Sequence, residues 1–525
     1  MFHSAKKAIL TTFGFCLFGL TLIIGLMVTE AGTLSAVAPL YVDDDTCPAV
    51  GSGTTGDPYC TIQSAVDAAI DQDEIRVAGG IYTGTQKVTA LDGKDYTQVV
   101  IIDRKSITVT GGYSSADWAA DPDPESNPTI IDAERTGRGL TILGQSNDIM
   151  TVEGLTITGG DYTGLGNPSG QGNQGCLGTG YDCGGGVRVE GPRLIMRHVL
   201  VYDNIAARVD QSRPTQGGGM DARQLQPGSL IANSQFISNT AGGDRGYGGG
   251  LNVSYSEVLI QDCLFEDNYA TRDGGGLDIL LASPVRLMGT SFKNNTAASN
   301  GGAILAEQGF CSLKENSLEI AGGTLTGNQA YAGSAMYLNH SNSWGADCGA
   351  TLTNLILAEN RSTGSGISQA VINVGSYKNV YPLILNHITA ANNDSPTFLY
   401  LASDSNSQAI TVTVNNTLVT STTYGIAAEE TAGEITINVN HPLMHDVDNP
   451  FYVLAGTPAY NLANPVTGDP KLDGTYHLGW GSAAIEAGID AGVLYDIDGD
   501  ERSVLSPDIG ADEWRAFVYL PMVVK

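Results

Sequence analysis

Positive charge is scarce in this chain. Its 525 residues carry 26 Lys+Arg against 56 Asp+Glu, a formal net charge of −30 at pH 7. Nothing in it would displace counterions from a phosphate backbone, so nucleic acid is excluded as an expected partner. Charged residues of either sign reach only 16% and aromatics 7%. Together with the lack of sustained helical periodicity, this excludes a helical bundle or coiled coil. The seven histidines are scattered singly, so none announces a metal centre or a catalytic pair. Neither a Gly-x-Ser-x-Gly elbow nor a phosphate loop sits in a strand-turn-helix context.

What the chain has in quantity is glycine, 67 residues, within a composition that is 42% hydrophobic and therefore not disordered. Glycine clusters recur, each followed by an alternating apolar/polar run: Gly184 to Gly186, Gly217 to Gly219, Gly248 to Gly250, Gly274 to Gly276, Gly301-Gly302 and Gly333. Start-to-start spacings are 33, 31, 26, 27 and 32 residues. Between clusters lies a second signal, an apolar residue followed three later by Asn: Val201/Asn204, Phe236/Asn239, Phe265/Asn268, Phe292/Asn295, Leu325/Asn328 and Leu357/Asn360. A fixed order with elastic spacing describes stacked coils whose loops vary while their strands do not. Each coil has room for three short strands, which predicts an all-β fold, a right-handed parallel β-helix over residues 75–455, with the Asn residues forming a ladder at one turn. Residues 39–74 read as an N-terminal cap. There, Thr61 to Ile70 places Ile62, Val66, Ala69 and Ile70 on one face of a short amphipathic helix.

Lys6 and Lys7 precede an uncharged run from Ala8 to Thr29, and Ala36-Val37-Ala38 supplies a small-x-small cleavage pattern. Residues 1–38 thus read as a secretory signal, which places the rest outside the cytoplasm, extracellular or at the cell surface. Once the signal is cleaved, no membrane span is expected in the mature chain. In that compartment Cys47/Cys60, Cys176/Cys183 and Cys311/Cys348 read as three disulfides, leaving Cys263 alone.

With these motifs in view, the middle of the chain resembles the polymorphic outer-membrane protein repeat. Gly301-Gly302-Ala303-Ile304 and Phe292-Lys293-Asn294-Asn295 match its two turn signatures. The resemblance implies a pectin-lyase-like β-helix on exported surface proteins, often linked to adhesion. Residues 456–516 look similar to a choice-of-anchor Q type C-terminal region. Its landmarks are Asp469-Pro470, Tyr476-His477-Leu478, Ser482 to Gly488, Asp496-Ile497-Asp498-Gly499 with Arg502, and Asp508 to Glu513. Such regions usually precede a surface anchor. Here only an apolar tail, residues 517–525, follows.

Alternation after each glycine cluster places Arg188, Asp221, Asn252 and Asp278 on the outward side of successive coils, with Glu190 and Arg223 two residues on. The insertions Asp161 to Cys183 and Ile205 to Gln216 flank the same coils, as the walls of a ligand-binding groove would. Asp221 and Asp278 are the candidate catalytic carboxylates, ~9.6 Å apart in backbone terms and near the upper limit for an inverting pair. None of the motifs of polygalacturonase-like hydrolases or pectate lyases accompanies them. Asp496, Asp498 and Asp500 are weak metal candidates, because Glu501 stands where a calcium loop needs Gly; Ca²⁺ is the one cofactor considered. The expected function is a binding or adhesion rod toward a polysaccharide or cell-surface glycan. The alternatives are a polysaccharide lyase or glycoside hydrolase acting in the groove, and a purely structural surface component.

Overall fold

The computed structural model describes residues 38–515 apart from 167–175, 177–179, 282, 308–317, 340–348, 376–380 and 404–408. One representative coil consists of Leu251–Ser254, Val258–Gln261 and Leu264–Glu266. The next coil stacks on it in parallel register, Leu251 against Leu277, Val258 against Val285 and Phe265 against Phe292. Repetition of this step gives a right-handed parallel β-helix. Alternation explains the interior: Leu251, Val253, Val258, Ile260 and Phe265 all point inward and are at most 3% exposed. Each such side chain contributes about 1.5–3 kcal/mol of burial.

Identical residues at identical positions convert stacking into ladders. Phe236, Phe265 and Phe292 stack with ring centroids 4.7 Å apart at each step. At the following turn, Asn239 Nδ2 donates to Asn268 Oδ1 (3.0 Å), Asn268 to Asn295 (2.9 Å) and Asn295 to Asn328 (3.0 Å). The same oxygens also accept backbone N–H groups, and each Nδ2 also donates to a carbonyl of the preceding coil, as Asn268 does to Phe236 O at 2.7 Å. The ladder begins at Asn204 and continues through Asn360 to Asn393, one rung beyond the sequence series. The glycine clusters stack likewise, Gly218 N–H donating to Gly248 O and Gly249 N–H to Gly274 O. Gly217 shows why no other residue serves there: its φ is +62°, and a Cβ would lie 2.0 Å from Met220 O.

At the N-terminal end the helix Ile62–Ala68 covers the first coils, with Thr61 capping the Ser64 N–H and Lys105 Nζ donating to Val66 O, Asp67 O and Ala69 O. Ile62, Ala65, Val66 and Ala69 are buried, but Ile70 is 67% exposed, contrary to the helical-face expectation. The helix stops earlier, because Ala69 already has extended backbone. Parallel pairing also starts before residue 75 and ends after 455: Leu40–Val42 pairs with Ile75–Val77, and Ala459–Ala463 joins Thr436–Asn440. A three-residue strand carries too little alternation to be recognised from sequence.

The Cys47–Cys60 and Cys176–Cys183 disulfides are both formed, and Cys263 is a buried free thiol. Cys311 and Cys348, the signal segment up to residue 37 and the apolar tail lie outside the described residues. Among the described residues no helix is long and apolar enough to cross a membrane. Beyond Ala463 the chain leaves the coils and packs along their side. There Arg502 donates to Gly510 O, Ala511 O and Asn354 Oδ1, and Asn416 Nδ2 donates to Ile489 O.

Candidate functional site

The six residues singled out on the first strands of the coils do share one face. Register pairs Arg188 with Asp221, Asp221 with Asn252 and Asn252 with Asp278, while Glu190 pairs with Arg223. The expectation that this face is an open groove is overturned. Arg188, Asn252 and Asp278 are fully buried and Asp221 is 2% exposed; only Glu190 and Arg223 keep partial access. Alternation fixes the side of the strand on which a residue lies, but not what covers that side. The chain entering each glycine cluster runs back over it, so closely that a Cβ on Gly274 would come within 2.8 Å of Asp278 Cβ. The two insertions are tied together above the same coils by Arg208–Asp161 (2.8 Å) and Arg213–Asp182 (3.3 Å).

The row is electrostatically uneven. Arg188 forms an ion pair with Asp221 through Nη1 and another with Glu190 through Nη2 at 2.7 Å. Burial alone would lower the Arg188 guanidinium, but these two carboxylates reverse the shift and hold it raised. Asp221 is raised by burial, opposed by Arg188 and Arg223. Asp278 is raised far more, first by burial and then by the Asp273 and Glu307 carboxylates. Asn252 Nδ2 gives it a hydrogen bond at 2.9 Å on Oδ2, while its Oδ1 has no donor. Asp221 Oδ1 and Asn252 Oδ1 are buried without a donor as well. Asp273, 3% exposed, is pushed up to about 6 by burial. With Asp221 locked in an ion pair and Asp278 sealed, neither candidate carboxylate is within reach of a polymer chain in this arrangement.

The opening lies one turn further along. A groove of about 510 Å³ follows the turn after the first strand and is lined by Gly144, Gly191, Gln224, Gln226, Tyr255 and Glu257, among others. Tyr255 is 45% exposed, and the Arg223 guanidinium sits 5.8 Å from its ring centroid. The groove thus begins where the sequence-derived row ends, at Arg223. Sequence reading missed Tyr255 because it lies at the turn after the first strand, beyond the alternating positions that were followed. Its signal is an aromatic at the turn position that Gly191, Gln224 and Leu281 occupy on neighbouring coils.

The acidic loop near the C-terminus is also rearranged relative to expectation. Asp496 builds the loop, its Oδ1 accepting from Asp498 and Asp500 N–H and its Oδ2 from Glu513 N–H. Asp500 pairs with Arg515 at 3.4 Å. Among the described residues, Asp498 is the one of the three weak metal candidates that groups with other ligand-type side chains, His477 and Asp512.

Residues 289–307 match the Chlamydia polymorphic membrane protein repeat. No curated protein matches the chain. Among solved structures, the crystal structure of pectate lyase Pel9A aligns over 91% of this chain and 98% of its own, at 12% sequence identity and a TM-score of 0.42.

Proposed function

We propose that this is an exported β-helix rod that binds glycans at the groove beside Tyr255, with residues 456–516 serving as the module that precedes a surface anchor. The observation that carries the glycan reading is the chemistry of that groove. A half-exposed aromatic ring offers an apolar platform to a sugar face. The Gln224 amide, the Gln226 Oε1 and the Glu257 carboxylate supply donors and acceptors for hydroxyl groups around it, the Gln226 Nε2 being committed to Gly191 O and Gln224 O. The rod behind the groove is stiffened by the Asn and Phe ladders, so little ordering cost falls on binding. Two disulfides and the 289–307 repeat support export.

The test is retention of the purified protein on a panel of acidic and neutral polysaccharides, with and without Ca²⁺. Tyr255→Ala is expected to weaken retention on the responsive polysaccharide at least tenfold, about 1.4 kcal/mol, with the melting temperature nearly unchanged. Cleavage of any polysaccharide by the parent protein would return the reading to a lyase or hydrolase. Absence of retention across the panel would leave a structural surface component.

A further inference from the structure

We propose that His477, Asp498 and Asp512 form a binding site for a divalent transition-metal ion that clasps three segments of the C-terminal region. One nitrogen or carboxylate oxygen from each of these residues lies within 4.8 Å of the others. The three come from separate pieces of chain. His477 is on the turn closed by the Leu472–Leu478 bridge, Asp498 on the loop closed by the Tyr495–Glu501 bridge, and Asp512 on the segment after Asp508.

The imidazole is presented as a ligand would be. His477 Nδ1 lies 3.1 Å from Thr475 O, which can only accept, so Nδ1 carries the proton. Nε2 lies 3.0 Å from Asp498 Oδ2, so in the neutral ring with its proton on Nδ1 the Nε2 lone pair faces that carboxylate. An N–H bonded to a backbone carbonyl on one side of the ring, with the lone pair facing carboxylates on the other, is the arrangement that fixes a metal-binding histidine. Asp512 supplies an independent observation. It is 7% exposed, its Oδ2 takes the Leu478 N–H at 2.7 Å, and its Oδ1 receives no hydrogen bond. A carboxylate with one oxygen free of hydrogen bonds, grouped with an imidazole nitrogen and a second carboxylate, favours a positive charge at their centre. One nitrogen and two oxygens suit Zn²⁺ or Co²⁺, with the remaining positions open to water, and suit Ca²⁺ poorly because it prefers an all-oxygen set. Asp496 acts by positioning, because both of its oxygens are committed to backbone N–H groups of the Asp498 loop and of Glu513.

The experiment uses the full chain titrated with ZnCl₂ by calorimetry and with CoCl₂ by visible absorption. One equivalent should bind, with a Co²⁺ spectrum showing a nitrogen ligand and a Zn²⁺-dependent rise in melting temperature. Asp498→Asn, at a side chain 56% exposed, should fold normally and lose at least tenfold in affinity, as should His477→Ala. Asp500→Asn, whose partner is Arg515, should bind like the parent. Binding equal in the parent, Asp498→Asn and His477→Ala, or no binding to the parent, would overturn the proposal and leave an imidazolium–carboxylate ion pair.

Discussion

Two buried polar columns run side by side through the same coils, and they are built on opposite principles. In the Asn204–Asn393 ladder every rung is the same residue, and from Asn239 to Asn328 each Oδ1 accepts from the preceding coil while each Nδ2 donates to the coils on both sides. In the Arg188–Asp278 row each rung is different, and Asp221, Asn252 and Asp278 each keep one oxygen without a donor. A uniform column satisfies itself, because a translation by one coil carries every donor onto an acceptor. A mixed column must be completed from outside the strands, and the segments entering the glycine clusters do so only in part. Burying polar groups is therefore stabilising in one column and costly in the other.

The sharpest way to break this contrast is to remove one rung of the ladder. Asn268→Ala deprives the Asn239 N–H and Nδ2 of their shared acceptor, and Phe236 O and Asn295 Oδ1 of a donor. With several buried groups left unpaired, a loss of about 3 kcal/mol or more is expected. It should be read as a lower thermal midpoint and faster amide exchange in the flanking coils, because stacked repeats can open locally. A loss of only a few tenths would mean that water or backbone shifts complete the ladder as readily as Asn does.

The same substitution logic reverses sign in the mixed row. Asp278→Asn removes a carboxylate that is fully buried and crowded by Asp273 and Glu307, and it keeps an oxygen for the Asn252 Nδ2. A gain of about 1 kcal/mol at pH 7.5 is expected. A lower thermal midpoint in this variant would show that the carboxylate is compensated by a partner the row itself does not supply.

This contrast also explains which features were legible in the sequence. Gly217, Phe265 and Asn268 were readable because their roles repeat on each coil and depend only on their own register. The identities and common face of Arg188, Asp221, Asn252 and Asp278 were readable from alternation as well, but their burial was not. It depends on the stacked segments that enter the glycine clusters, such as Arg245–Tyr247 paired beside Asp273, which follow loops of variable length. Tyr255, His477 and Asp512 gave still less warning, because each occurs once and takes its meaning from non-local neighbours. The Asp496–Asp500 spacing suggested a ligand loop, whereas Asp496 is the residue that shapes the loop and His477, on a separate turn earlier in the chain, is the one that faces Asp498.

The finest test of the mixed row is its response to pH. Asp278 faces Asn252, Asp273, Glu307, Asp221 and the Tyr247 phenol, and its raised pKa means that the folded protein holds its proton more readily than the unfolded chain does. Such a group destabilises the fold once ionised, so stability is gained as pH falls from the folded pKa toward the ordinary carboxylate value of 3.8. Asp273, held at about 6, adds a gain in the same direction below that pH. His387 opposes both: burial lowers it to about 3, so its contribution is intact above 6.5 and is lost progressively as pH falls below that value. Total stability against pH therefore mixes two opposite slopes, and only a difference between proteins isolates the row. The advantage of Asp278→Asn over the parent should be smaller at pH 5 than at pH 7.5, because acid neutralises the parent's carboxylate while the amide does not titrate. Parallel thermal-midpoint curves for the two proteins across that range would place Asp278 in the same protonation state folded and unfolded, and the row would then carry no electrostatic strain.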